Sequence, residues 1–376
     1  MDSPSRLGWE RCCVSGAAGP SYSVYTIVLN WNGWKDTVEC LESLFRLDYS
    51  NNHIVVVDNG SSDGSVQHIC AWAAGSEVPV LDTPSTLRSL SDPPVTKPIP
   101  VTMVVCDTKG EPPGPPGSDC ALTIIETGAN LGYAGGNNVG IRYALAHHAD
   151  YVWILNNDTA VDSRALSAVM NRATQDARIG LCGSTLLEYR EPHVIQVSGG
   201  AHYNYRTSRH TIAGRGLTLE RQPSSCEVET SLSYVSGASV LVRAQYLRAV
   251  GLMDERYFLY FEELDWASRG RSLGYVLGYA SDSFVYHKEG SSTGFRGRDL
   301  DPNPVAQYYS SRSLLLVTGR FHRAWLPVLR AKVLGTSLQR LLTGHPDLAR
   351  AIVLAVFEPG LAAFPDNLRQ RFSEDS

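Results

Sequence analysis

Tyr151-Val152-Trp153-Ile154-Leu155 runs straight into Asn156-Asn157-Asp158, and this junction decides how the chain reads. Five apolar residues, bounded by polar ones, describe a buried strand. An aspartate set at its end is costly to desolvate unless it has a partner. In open α/β sheets, ligands collect at the carboxyl ends of strands, so Asp158 is a candidate for holding a metal, a sugar hydroxyl or a phosphate-bound cation. Asp58 stands likewise after the strand 53–57, and Glu262-Glu263-Leu264-Asp265 forms a third acidic station. With the late His287, these residues suggest a metal-assisted site for a phosphorylated substrate.

Outward from that strand, the chain alternates. Strands are predicted over 25–29, 53–57, 122–125 and 151–155, and helices over 35–45, 63–72 and 163–177. Such spacing implies parallel strands joined by right-handed crossovers. A glycine-rich turn at 128–138 is expected to lead into a helix ending near His148. Its glycines permit either a phosphate cradle at a helix start or a plain structural turn. Further strands are read over 194–197, 232–242, 275–279 and 283–286, and helices over 243–250 and 262–272.

Prolines crowd 79–119, forbidding a helix and any central strand except over 101–106. This is a surface insertion, either a bland loop or a lid beside the ligand edge. The organisation expected is a loose leader (1–21), a catalytic domain (22–300) carrying that insertion, and a C-terminal helical extension (301–376).

The 376 residues are 43% hydrophobic and 19% charged, an ordinary globular balance. A net charge of −5 argues against a general nucleic-acid binder. The eight cysteines show no C-x-x-C spacing and read as reduced core residues. No segment reaches the roughly 18 apolar residues of a membrane span, and the first twenty residues lack signal-peptide features. A cytoplasmic protein is therefore expected. The apolar, arginine-dotted stretches 324–342 and 348–357 fit a packed helical tail or an interfacial helix on the inner face of the membrane.

Four motifs, in this order and spacing, resemble the family 2 glycosyltransferases, and the resemblance spans about residues 25–294. They are Val55-Val56-Val57-Asp58-Asn59-Gly60-Ser61-Ser62-Asp63-Gly64-Ser65, the loop 130–138, Leu155-Asn156-Asn157-Asp158-Thr159, and Tyr257-Phe258-Leu259-Tyr260-Phe261-Glu262-Glu263-Leu264-Asp265. The rhamnosyltransferase-like branch is the most similar. The Q-x-x-R-W motif of processive synthases is absent.

The resemblance implies an α/β GT-A fold and inverting transfer of one sugar from a nucleotide-diphosphate donor, dTDP-rhamnose or a UDP-sugar, to a saccharide or lipid-linked saccharide of a surface polysaccharide. It implies that Asn30, Trp31, Asp58, Asn130, Gly135, Asn138 and Asn157 contact the nucleotide-sugar; Trp31 can equally be a core residue. It implies that Asp158, the last residue of a D-x-D-like motif whose first position is Asn156, holds Mn²⁺ or Mg²⁺ with His287. Glu263, with Glu262 beside it, falls at the catalytic base, one methylene longer than the family's usual aspartate. Asp265 sits four residues before Arg269, a helix-stabilising pair. A sugar-1-phosphate nucleotidyltransferase and a catalytically degenerate saccharide-binding relative are the rival readings.

Overall fold

The computed structural model describes residues 22–78, 82–107, 120–288 and 304–357. The leader, the apex of the proline-rich insertion and the end of the chain lie outside these residues. The first half is β1 (Val24–Asn30), α1 (Trp34–Leu44), β2 (Asn52–Asp58), α2 (Ser65–Ala74), β3 (Val101–Val105), β4 (Leu122–Glu126), α3 (Gly132–Ala146), β5 (Tyr151–Asn156), β6 (Thr159–Val161) and α4 (Ala165–Thr174). It continues through β7 (Ile179–Glu188), β8 (Ile195–Ser198), β9 (Gly200–Asn204), β10 (Arg209–Ile212), α5 (Ser225–Ser231), β11 (Tyr234–Val235), β12 (Ser239–Arg243), α6 (Ala244–Val250), α7 (Glu262–Ser272) and β13 (Val276–His287). Three helices follow: α8 (Pro304–Phe321), α9 (Leu326–Leu342) and α10 (Pro346–Phe357).

The main sheet runs β3-β4-β2-β1-β5-β12-β7-β13-β6, with β8 paired to β7. Strands β3, β4, β2, β1 and β5 are mutually parallel, and β12 runs antiparallel between β5 and β7. β13 lies parallel to β7. This is the α/β layout, with a mostly parallel central sheet and C-terminal helices, that the GT-A expectation called for. A small sheet, β10-β9-β11, stands apart.

Strand periodicity explains the layering. Alternate side chains point to opposite faces, so Val24, Val28, Ile54, Val56, Trp153 and Leu155 enter one core with α1, α2 and α4. Their neighbours Tyr25, Ile27, Val55, Val57, Val152 and Ile154 enter the other, with α3 and α6. Both faces being covered, the strands read as continuous apolar runs.

Four departures have physical causes. The expected glycine turn is the opening of α3, which starts at Gly132. Its glycines serve packing: a Cβ on Gly136 would meet Leu29 Cδ1 at 2.5 Å, and one on Gly140 would meet Ile27 Cγ2 at 2.7 Å. β7 was not foreseen, because Gly180, Cys182, Gly183 and Ser184 dilute its branched residues. The run 232–242 is split by Ser236-Gly237-Ala238, sending β11 to the small sheet. Conversely, 275–279 and 283–286 form one strand, β13, whose register shifts between Ala280 and Phe284.

The described part of the insertion is not detached. Glu42, 3% exposed on α1, accepts from Val95 N and Lys97 Nζ, each at 2.8 Å, and from Trp72 Nε1 of α2. These bonds clamp 82–107 to the helical layer, and β3 adds a strand at the sheet's edge. Burial pushes the Cys40 thiol up to about 12.

Gly140→Ala should destabilise the fold by about 1–3 kcal/mol through overpacking against β1. Gly335→Ala, with no atom within 4 Å of the added carbon, should stabilise it by about 0.5–1 kcal/mol. Denaturant unfolding of both variants checks the pair; equal effects would contradict this account of α3.

Candidate active site

The parallel register lines up the candidate residues. Asn30 at the end of β1 stands opposite Asp58 at the end of β2, and Leu29 stands opposite Asn156 of β5. Hydrogen bonds then join them. Asn30 Nδ2 donates to Asp58 Oδ2 at 2.8 Å, and Ser61 N donates to Asp58 Oδ1 at 3.0 Å. Thr37 Oγ1 donates to Asn30 Oδ1 at 2.7 Å, and Asn157 Nδ2 donates to Thr37 Oγ1 at 3.1 Å and to Gly33 O at 3.2 Å. Asn30 and Asn157 are buried, and these amide groups are directed inward. They set the position of Asp58 and of the loop after β1, on which Trp31 is 40% exposed. Its ring is therefore a surface aromatic and not a core residue.

Three other expected contacts are likewise occupied. Asn130 Oδ1 accepts from Asn59 Nδ2 at 3.1 Å and from Gly132 N at 2.9 Å, pinning the turn into α3. Gly135 is buried within α3, where a Cβ would meet Leu131 Cβ at 2.8 Å. Asn138, also buried, bonds both the N–H and the carbonyl of Met253, at 3.1 and 2.9 Å. Because α3 begins before these residues, Gly135 and Asn138 face packed protein where the turn reading had placed a ligand.

Asp158 and His287 do meet. β6 pairs with β13 so that His287 faces Thr159, and His287 Nε2 lies 3.2 Å from Asp158 Oδ1. The other ring nitrogen, Nδ1, is 2.7 Å from Gln196 Oε1. Gln196 Nε2 contacts Glu188 Oε2 at 3.3 Å and the carbonyl of His287 at 3.4 Å. That arrangement directs the amide oxygen at Nδ1, which must be the donor, and leaves Nε2 as the coordinating nitrogen in the neutral ring. Two ligand atoms 3.2 Å apart suit adjacent corners of a coordination octahedron with bonds of about 2.1 Å. The pair thus fits a divalent ion. Among the described residues, no group of three His, Cys, Asp or Glu side chains gathers as a metal cage. Asn156 Nδ2 approaches His287 Nε2 at 3.4 Å.

Glu263 completes the hollow. It opens α7 behind Tyr260 and Phe261, both left-handed at φ 68° and 69°, a conformation costly for bulky residues. Its Oε1 accepts from Gly237 N at 3.2 Å, while Tyr133 Oη donates to Gly237 O at 2.7 Å. Asn156 N donates to the neighbouring Ala238 O at 3.2 Å, so the loop before β12 couples Glu263 to the β5 end. Glu263, His287, Gln196, Tyr260, Phe261 and Ser310 all line one cleft of about 410 Å³.

Glu262 points elsewhere. It is 2% exposed and absent from the cleft wall, and its Oε2 finds no hydrogen-bond partner among the described residues. Burial, helped by the charge of Glu263, holds its carboxyl well above the ordinary carboxylate range. Burial raises Glu263 too, against the pull of the Gly237 N–H. Asp265 is fully buried between Arg269 Nε at 2.7 Å and Arg320 Nη1 at 2.8 Å, a structural ion pair as expected.

Gln196, Tyr133 and Gly237 are given no site role by the sequence, although Tyr133 lies in the loop 130–138. Only Gly237 left a signal, the break it makes in a branched run. A Cβ there would stand 2.4 Å from Glu263 Oε1.

Residues 24–85 match the family model described as Glycosyl transferase family 2. An N-acetylglucosaminyl-diphospho-decaprenol L-rhamnosyltransferase of Mycobacterium tuberculosis is 26% identical over 254 residues, 63% of this chain and 81% of that one. The dTDP-rhamnosyl transferase RfbF of Shigella flexneri is 24% identical over 215 residues, 56% of this chain and 67% of that one. A solved mannosyltransferase from Pyrobaculum calidifontis, PcManGT, in complex with GDP-Man and Mn²⁺, is 15% identical with a TM-score of 0.46, covering 94% of this chain and 79% of that one. By these matches the chain is similar to the family 2 glycosyltransferases over residues 24–85, and to rhamnosyltransferases over a longer span.

A carboxyl raised by the fold makes stability fall as pH climbs from its unfolded value towards its folded one. Glu262→Gln removes that loss, so its gain in melting temperature over the parent should be larger at about pH 8 than at about pH 5. A pH-independent difference would show that Glu262 is not held protonated.

Proposed function

We propose that the protein moves a single sugar from a nucleotide-diphosphate donor to a saccharide acceptor, with inversion, in the assembly of a surface polysaccharide. The observation that carries this reading is the shared cleft: Glu263 and His287 wall the same hollow, with Asp158 against the histidine. dTDP-rhamnose is the proposed donor, in keeping with the rhamnosyl transfer in the names of the two bacterial relatives. The proposed acceptor is a lipid-linked saccharide, such as the mycobacterial relative's name carries. Residues 22–300 would form the catalytic unit and 301–376 its extension.

In this scheme, Asp58 and the exposed Trp31 receive the nucleotide, the carboxylate by hydrogen bonding and the ring by stacking. Glu263 takes the proton of the acceptor hydroxyl as its oxygen bonds to the anomeric carbon. The bond to the diphosphate breaks on the opposite face, and the nucleoside diphosphate departs. Asp158 Oδ1 and His287 Nε2 would hold Mn²⁺ or Mg²⁺, which when bound neutralises charge gathering on the leaving group. Gln196 keeps His287 in the ligand tautomer, and Gly237 orients Glu263. The raised Glu263 carboxyl places the acid limb of the rate profile above the ordinary glutamate range.

A thermal-shift panel of nucleotide-sugars with and without Mn²⁺ should show joint stabilisation by donor and metal. Asp158→Ala should abolish the metal-dependent part; an unchanged shift would remove its ligand role. Glu263→Gln should keep donor binding and lower turnover by about 10²–10⁴-fold. Near-normal transfer by that variant would leave the reaction without this base. Slow release of nucleoside diphosphate in Mn²⁺ separates a transferase from a saccharide-binding relative, which releases none.

A further inference from the structure

The side of α9 turned away from the domain carries an apolar stripe, with Lys332 and Gln339 along one edge, that covers nothing described. Its inner face, Leu329, Val333 and Ser337, is buried. Leu329 and Val333 pack with Leu315 of α8 and with Ile352 and Val356 of α10. The opposite face carries Val328, Ala331, Gly335, Leu338 and Leu342, three or four residues apart and all exposed. Leu338 is 58% and Leu342 79% exposed. Seven of the fourteen large apolar side chains that stand exposed among the described residues fall between Trp325 and Phe357.

Charge supplies the second observation. From Pro302 to Pro346 the sequence holds Arg312, Arg320, Arg323, Arg330, Lys332 and Arg340, without one Asp or Glu, in a chain of net charge −5. Arg320 is used by Asp254 and Asp265, Arg312 by the Arg256 carbonyl, and Lys332 by the Thr207 carbonyl. Arg323 and Arg330 are exposed and form no salt bridge among the described residues. An apolar stripe on a segment free of acidic residues, with Arg323 and Arg330 exposed, matches a surface that is oily within and negative at its rim. Seventeen residues make a rod of about 25 Å, able to lie along an interface but not to cross it.

We propose that the outer face of α9 docks the protein on an anionic lipid surface. Val328, Leu338 and Leu342 enter the boundary between headgroups and acyl chains, and Arg323 and Arg330 meet lipid phosphates. The placement serves the reaction: Ser310 of α8, the helix on which α9 packs, lines the cleft. This last link rests on the lipid-linked acceptor proposed above, whereas the docking does not.

Flotation of the full chain with vesicles of phosphatidylcholine containing about one third phosphatidylglycerol tests it without donor, metal or turnover. The protein should float with these vesicles, float far less with pure phosphatidylcholine, and be released in about 1 M salt. The double variant Leu338→Glu, Leu342→Glu should weaken association at least about tenfold, and Arg323→Glu with Arg330→Glu should abolish the preference for anionic lipid. Unchanged melting temperatures and donor-induced shifts would confirm that both variants fold. No flotation by the parent chain, or undiminished flotation by the variants, overturns the proposal. A parent dimer that Leu338→Glu converts to monomer would assign the face to a second copy. Flotation appearing only after removal of 358–376 would assign it to the chain's own end.

Discussion

The site depends on a buried relay of hydrogen bonds that runs across three strand ends: Asp58 to Asn30, Asn30 to Thr37, Thr37 to Asn157. An unpaired amide or carboxylate at this depth would cost several kcal/mol, and the relay pairs these groups with one another. Its consequence is geometric. Asp58 at one end and Asp158, directly after Asn157, at the other are coupled, because the side chains between them are buried and bond one another. The spacing of the two acidic stations is therefore a property of the sheet's register.

The cleft wall at Glu263 is held differently, and the relay residues do not line that cleft. Two left-handed aromatic residues turn the chain sharply into α7, presenting Glu263 to the hollow and driving Glu262 into the interior. Adjacent helical residues point about a hundred degrees apart, so one glutamate of the pair had to be buried. What keeps the helix seated despite that cost is Asp265, fixed by Arg269 of its own helix and Arg320 of α8. The C-terminal extension is thus tied to the candidate base. α8 both braces α7 and lends Ser310 to the cleft.

Legibility followed burial and periodicity. The parallel strands were evident because a sheet covered on both faces needs uninterrupted apolar runs, and α7 was read with its observed limits. β7 was obscured by glycine, cysteine and serine, which carry no strand signal; the bare backbone of Gly180 lets Tyr246 pack closely. The glycines of α3 misled for the opposite reason: read locally, they marked a turn, whereas the sheet beneath required them for close helix packing. Among site residues, those at strand ends stood out because a polar group breaks an apolar run. Gln196 and Tyr133 lie in elements with mixed patterns, and their partners are distant in sequence.

By itself the sequence determined the alternating strands and helices of the first half, the acidic stations at the strand ends, and the resemblance that implied sugar transfer, because these follow from local periodicity and from polar residues placed against it. Only the tertiary structure decided which amides face inward, that Glu262 is buried, and that the expected Asp158–His287 pair is made across β6–β13. Those outcomes depend on register and helix rotation between segments up to about 130 residues apart, and no local pattern encodes such relations.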